Sequence, residues 1–279
     1  MIVIRFWVLA ALIGLIGCAA PDTQNADTIR IIQLNSLLPA DAILLGEQHD
    51  APDHQRIHQL TTATLTHQNK LAALVLEMAN AGQSTERLAP NASEDQVRAA
   101  LQWDVEAWPW AAYSPAVMTA VRAGMPVLGA NLPRTQLKKA MTDAELDARL
   151  PAPALKEQQQ NIREGHCDLL PESQISPMTR IQIARDVSIA QTLLKAARPG
   201  KTVLLLAGGG HVNRHLGVPL HLPLDFMAKS VLLTAEPASA AIKNRAEFDH
   251  FWFARPAPVV DYCADFTAQR ARQQPATIQ

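Results

Sequence analysis

Four apolar runs that end in polar residues constrain this chain more than any other feature. They are Ala42–Gly46 before Glu47, Leu71–Met78 with Glu77 near its end, Pro126–Asn131, and Thr202–Ala207 before three glycines and His211. Continuous apolar runs of this length suit strands buried on both faces, the habit of a parallel sheet. Helical patterns lie between them. Pro52 fits the first turn of a helix in which Ile57, Leu60 and Thr64 recur at helical spacing. Ser93 and Gln96 make a capping box for a helix to Leu101, and Ser84–Arg87 reads as a short helical piece. Trp103–Ser114 reads as a loop, with a short helix over Pro115–Arg122. Residues 133–150 and 153–165 read as helical, broken at Pro151 and Pro153. The longest helix spans 174–197, with Ile183, Val187, Ala190, Leu194 and Ala197 as its apolar stripe. Val231–Thr234 and His250–Phe253 add two more strands. This alternation predicts an α/β fold: a mostly parallel central sheet, helices on both faces, and helical insertions. Residues 29–270 show no internal repeat or linker and read as a single domain. A chain of 279 residues, 48% hydrophobic, can bury such a core. The formal net charge of −1 gives no sign of a nucleic-acid surface.

The amino terminus stands apart. Arg5, the apolar run Phe6–Ile16 and small residues before Cys18 describe an export signal over residues 1–17. Its apolar part falls short of the roughly 20 residues that a transmembrane helix needs. The residues before Cys18 resemble a lipobox, which makes Cys18 the lipidation site and residues 18–28 a membrane tether. Ala19 after Cys18 matches the convention for sorting to a bacterial outer membrane, with the domain facing the periplasm or the exterior. Residues 271–279 read as a disordered tail. Export leaves Cys167 and Cys263 as an even pair in an oxidising compartment, and we expect a disulfide. It closes a loop of about a hundred residues, for which the chain-entropy model gives roughly 4–5 kcal/mol.

Ligands bind beyond the carboxyl ends of parallel strands. If the runs are neighbours, Glu47, His49, Glu77 and His211 meet at one rim, with Gly46 allowing a sharp turn after the first strand. A Glu–His pair there can polarise water. Two imidazoles with two carboxylates can instead hold a divalent metal such as Mn or Zn. A third reading is a satisfied polar network that braces the sheet edge. His54 and His58 have i,i+4 spacing but read best as a solvated helix face. Trp103, Trp108 and Trp110 fall close together before Tyr113. They read as a loop pinned to the core or as an apolar platform with a phenol at its edge, and a phenolate can ligate ferric haem.

The stretches LLGEQHD (44–50), LVLEM (74–78), WPWAAYSP (108–115), PVLGANLPR (126–134), GHCDLLP (165–171), QIARD (182–186) and LLLAGGGHVNRHLGVPLHL (204–222) occur in this order. Together they resemble the ChaN-like haem-binding lipoproteins of the Tiki/TraB/erythromycin-esterase superfamily. The resemblance implies an anchored α/β domain for haem or iron uptake. It implies a homodimer on haem binding, the two macrocycles face to face, and an outer-membrane haem receptor as partner. It also implies a tyrosine on the iron, Tyr113 first and Tyr262 second, with His166 nearby. Arg134 and Arg185 would meet the propionates. Superfamily relatives include hydrolases, some metal-dependent. Their polar motif matches Glu47, His49, Glu77 and His211, so a hydrolase using these as catalytic residues is the alternative.

Overall fold

The computed structural model describes residues 23–235, 246–258, 260–264 and 267. The stretch read as an export signal, Cys18 and residues 271–279, read as a tail, lie outside these residues. The elements run α1 (Thr23–Ser36), β1 (Ala42–Glu47), α2 (Pro52–His67), β2 (Leu71–Asn80), α3 (Glu94–Leu101), α4 (Trp110–Arg122), β3 (Val127–Asn131), α5 (Arg134–Thr142), α6 (Ala152–Gly165), α7 (Glu172–Ala196), β4 (Thr202–Gly208), β5 (Ala228–Thr234) and β6 (His250–Phe253). The strands form one sheet in the order β3-β2-β4-β1-β5-β6, with every pairing parallel.

The two-residue period of a strand divides the core between the faces. Ile43 and Leu45 pack with Ile57 and Leu65 of α2 and with Val117 and Ala120 of α4. Ala42 and Leu44 point the other way, toward Ile189 and Leu193 of α7. All four strand residues are inaccessible to solvent. Full burial of one such leucine contributes about 1.5–3 kcal/mol, so both faces hold the sheet firmly. Glu47 pairs with Gly208, which brings the carboxyl ends of β1 and β4 side by side.

Gly46 is no turn residue. It lies inside β1, and a Cβ there would come within 2.3 Å of Val212 Cγ2 and 3.0 Å of Gly209 Cα. Its role is to let the turn after β4 cross close to β1.

Several local expectations need correction. Ser84–Arg87 is not helical: Ser84 bridges Leu128 at the free edge of β3, and the Val127 N–H donates to Thr85 Oγ1. The helix expected from Pro115 begins earlier, at Trp110, with Pro109 at its cap and Pro115 inside it. Tyr113 is therefore helical rather than in a loop. The helical stretch from 133 breaks after Thr142, and a 3-10 helix follows over Ala144–Arg149. The buried face of α7 includes Ile183, Asp186, Ile189, Ala190, Leu193 and Ala196, while Leu194 is exposed. Helix α1 starts at Thr23, within the stretch read as a tether. The capping box of α3 is formed by both Ser93 and Gln96. Cys167 and Cys263 are joined in a disulfide, their Cα atoms 5.6 Å apart. Among the described residues, no helix is long and apolar enough to cross a membrane.

Candidate functional site

The rim at the carboxyl ends of β1, β2 and β4 gathers the expected side chains. Glu47 is the last residue of β1 and is almost wholly buried. Its Oε1 accepts hydrogen bonds from His49 Nδ1–H at 2.7 Å and from the Tyr113 hydroxyl at 2.7 Å. Glu77, near the end of β2, accepts the Gly208 N–H at 2.7 Å. His211 follows the glycine turn after β4. Its Nε2 lies 3.3 Å from Glu77 Oε1 and its Nδ1 lies 2.5 Å from Asp186 Oδ1. The two groups come close where His49 Nε2 stands 3.9 Å from Glu77 Oε2. Gly208 eases this approach: a Cβ on it would sit 3.0 Å from His49 Nε2 and push the ring by a few tenths of an ångström.

Burial and charge set the protonation of these groups. Burial pushes the Glu77 carboxyl up, but His211, His49 and the Gly208 N–H outweigh it and bring the value down to about 2. Burial would discharge His211, yet Glu77 and Asp186 hold it protonated, well above the ordinary imidazole range. Burial dominates at Asp186 and raises it against the pull of His211. At Glu47, burial is overcome by His58, His49 and the Tyr113 bond, and the carboxyl stays below its usual range. His49 is raised, burial being outweighed by the Glu47 bond and the Glu77 charge.

The cluster was incomplete when read from sequence. Asp186 fixes the buried side of His211, and the Gln182 amide lies 3.1 Å from His211 Nδ1. Both sit in the QIARD stretch, beside Arg185. His54 and His58 are not on a solvated face; they are 0% and 1% exposed. The Gln48 backbone N–H donates to His54 Nδ1, and His58 Nδ1 lies 3.6 Å from Glu47 Oε2. Burial pushes His54 down to about 4 and lowers His58 as well. The stripe Asp53, His54, Ile57, His58, Thr61, Thr62, Leu65 is the buried face of α2. That stripe is legible as an i, i+4, i+7, i+8 pattern once His and Thr count as core residues.

The cluster is a hydrogen-bonded network. Its carboxylates are engaged by imidazoles, the Tyr113 hydroxyl and the Gly208 N–H, while Glu47 Oε2 is buried with no hydrogen-bond partner, 3.6 Å from His58 Nδ1. Among the described residues, no group of three or more His, Cys, Asp or Glu is arranged to hold a metal ion. The Mn or Zn alternative therefore has no support in the geometry.

The expected haem-facing residues separate by exposure. Tyr113 is 1% exposed and sits under the rim; burial and Glu47 raise its hydroxyl far above the ordinary phenol range. Tyr262 is 53% exposed. Its hydroxyl donates to Asp50 Oδ2 at 2.5 Å and accepts from Gln48 Nε2 at 3.3 Å, on the connection that carries His49. The disulfide brings His166 and Tyr262 into one neighbourhood, each being adjacent in sequence to one of its cysteines. His166 Nδ1–H donates to Ile162 O at 2.7 Å. Arg134 is exposed at the start of α5 and donates to Asp104. The Nε of Arg185 is buried with no hydrogen-bond partner. Trp103 is buried against Trp110 and Tyr113, so most of the tryptophan group is pinned to the core. Trp108 alone of the three reaches the rim beside His49, with ring centroids 4.8 Å apart.

A family model described as haem-binding uptake, Tiki superfamily, ChaN, matches residues 33–222, more than half of the chain. This chain belongs to the ChaN family. The ChaN match spans β1 to the end of the segment after His211, and so includes every member of the polar network. A solved structure described as cofacial heme binding to ChaN of Campylobacter jejuni is similar to it. The two share 25% identity at a TM-score of 0.58, over 73% of this chain and 85% of that one. The structure of the type III effector HopBA1 is also similar in outline. It shares 13% identity at a TM-score of 0.48, over 82% of this chain and 94% of that one, too distant to bear on function. Among curated proteins nothing matches.

Proposed function

We propose that this ChaN-family chain binds haem at the rim beyond β1, β2 and β4, with Tyr262 as the iron ligand. The observation that carries this reading is the pairing of an exposed phenol with a half-exposed imidazole and indole at one edge. Tyr262 is bonded to Asp50, His49 is 38% exposed at its side chain, and Trp108 packs edge-on against it. The donor set fits the group. A flat apolar ring suits Trp108, a ferric ion accepts a phenolate, and carboxylate side arms suit guanidinium groups. Arg134 is exposed at the start of α5, where it pairs with Asp104, and Arg185 has an unpaired buried Nε. The haem itself would supply a ferric centre able to accept a phenolate oxygen; the chain would supply the phenol, the aromatic wall and the cations.

Tyr113 is displaced from first choice because its hydroxyl is already spent on Glu47 and is shielded from solvent. Its part is to orient Glu47, and through Glu47 the His49 ring. The buried network then acts as a rigid floor under the haem face. The hydrolase reading is weaker: the family match is to haem-binding uptake, and Glu47, Glu77 and Asp186 are engaged with imidazoles.

In the same reading Cys18 is lipidated and anchors the chain to the outer membrane. The domain takes part in haem or iron uptake, pairs with a second copy around bound haem, and receives or passes haem through a membrane receptor. The test is titration of the oxidised protein with hemin, followed at the Soret band, for wild type, Tyr262→Phe and Tyr113→Phe. Saturable binding that falls about tenfold or more in Tyr262→Phe and stays within threefold in Tyr113→Phe supports the assignment. The reverse order would return the iron to Tyr113, and no binding by wild type would remove the function.

A further inference from the structure

The residues that carry Tyr262 form a strap, and its fixing points are unusual. At one end, the Arg255 backbone N–H donates to Asp53 Oδ2 at 2.9 Å and its guanidinium donates to Asp53 Oδ1. At the other end, Cys263 is bonded to Cys167 in the connection between α6 and α7. Asp53 and Cys167 lie on different parts of the molecule, so the strap runs across the edge that holds Gln48, His49 and Asp50. Of the described residues from Arg255 to Ala264, Ala257 alone is half-buried and the rest are exposed. None of these residues is fully buried, Val260 and Tyr262 staying 39% and 53% exposed, so packing holds the segment less firmly than it holds the core. The hydrogen bonds of Tyr262 to Asp50 and Gln48 are themselves exposed and compete with water. The covalent bridge is the strong attachment beyond Arg255.

We propose that the Cys167–Cys263 bridge and Asp50 are positioning groups for Tyr262, so that haem capture depends on the bridge being closed. This rests on the reading of Tyr262 as the iron ligand. With the bridge closed, Tyr262 is one residue from a fixed point and its hydroxyl is aimed by Asp50, whose carboxylate would take up the phenol proton when the oxygen serves as a phenolate ligand. With the bridge open, Tyr262 hangs seven residues from Arg255, a reach of up to about 23 Å. The phenol then samples a large volume, and its effective concentration at the rim falls. Opening is a two-electron, two-proton exchange. A thiolate of a dithiol reductant attacks one sulfur and expels the other as a thiolate. The second thiol of the reductant then resolves the mixed disulfide, leaving two protein thiols and an oxidised reductant. The device therefore binds in an oxidising compartment and lets go where dithiol reductants act.

The experiment compares hemin affinity and the phenolate-to-iron charge-transfer band in four full-length forms. They are oxidised wild type, wild type reduced with dithiothreitol then alkylated and desalted, Cys167→Ser/Cys263→Ser, and the pair Asp50→Asn and Asp50→Ala. The expected result is a loss of about tenfold or more in affinity in both open-bridge forms, with a weakened charge-transfer band. Asp50→Asn keeps an acceptor oxygen but cannot take up the proton, and loses less than Asp50→Ala, which loses severalfold. Open-bridge forms that match oxidised wild type in affinity and band overturn the proposal. Hydrogen exchange over residues 255–264 gives a reading without haem. Faster exchange on opening the bridge supports the strap as drawn, and unchanged exchange overturns it. Absence of hemin binding by oxidised wild type sinks the haem function itself, and the exchange experiment then decides the strap alone.

Discussion

Replacing His211 with glutamine tests the buried network most severely. His211 is the one cation between Glu77 and Asp186, and all three groups are buried. The His211→Gln variant keeps an amide that can hydrogen-bond but removes the charge. Glu77 and Asp186 then lose the buried cation they share, His49 remaining 3.9 Å from Glu77 alone, and breaking a buried pair of this kind costs about 3–5 kcal/mol. For a domain of this size that is a fall in Tm of roughly 6–20 °C. The pH dependence carries a sign. The folded value of His211 lies above the ordinary imidazole value, so its contribution is complete below about pH 6.5 and is lost as pH rises through its folded value. Glu77 is lowered to about 2, so its contribution is complete above its ordinary value of 4.5 and is lost as pH falls toward 2. In the variant the largest counterweight to burial is gone, with only His49 and the Gly208 N–H left at Glu77 and Arg185 left near Asp186, so both carboxyls rise and protonation relieves the penalty. The Tm difference from wild type must therefore shrink between pH 7.5 and pH 5. Thermal unfolding followed by circular dichroism at both pH values reads this directly. A loss below about 2 °C at pH 7.5, or one that does not shrink on acidification, refutes the charge assignment.

Other consequences can be checked alongside. His54 is buried neutral with its value lowered to about 4, so its contribution is complete above pH 6.5 and fades as pH falls toward 4. His54's share of the fall in wild-type stability over that interval is about 3 kcal/mol, alongside those of His58 and His221, so His54→Gln should reduce the drop in urea midpoint without abolishing it. Gly46→Ala places a Cβ against Val212 and Gly209 and should cost about 1–3 kcal/mol in urea unfolding. Glu47→Gln weakens the hold on the His49 ring, so hemin affinity should fall while the far-ultraviolet spectrum stays unchanged. Opening the disulfide should lower the midpoint of global unfolding by less than the 4–5 kcal/mol of the chain-entropy model, because the exposed strap gains freedom in the folded state too.

The sheet was legible in the sequence because a strand buried on both faces leaves an uninterrupted apolar run. Ala42–Gly46 and Thr202–Ala207 could hardly be anything else once short length and flanking glycines are counted. The convergence of Glu47, Glu77 and His211 followed from parallel pairing alone, since all three stand at carboxyl ends. What escaped was whatever depends on the rotation of a helix. His54 and His58 look like surface residues until the packing of α2 puts them under the sheet edge. Asp186 is one residue from an arginine and looks like half of a surface ion pair, but α7 turns it inward to His211. Tyr113 shared a motif with the tryptophans and drew attention as a ligand, whereas an earlier start for α4 buries it against Glu47. Tyr262 stood outside every local pattern. Its place at the rim is set by a covalent bond between residues 96 positions apart, which periodicity cannot reveal.

Resonance Raman spectroscopy of the hemin complex tests the central claim most directly, because it reports the iron's own ligand. The account predicts phenolate modes in the oxidised wild type and in Tyr113→Phe, and their loss in Tyr262→Phe. Phenolate modes that survive in Tyr262→Phe, or a wild-type protein that retains no haem to examine, would contradict it.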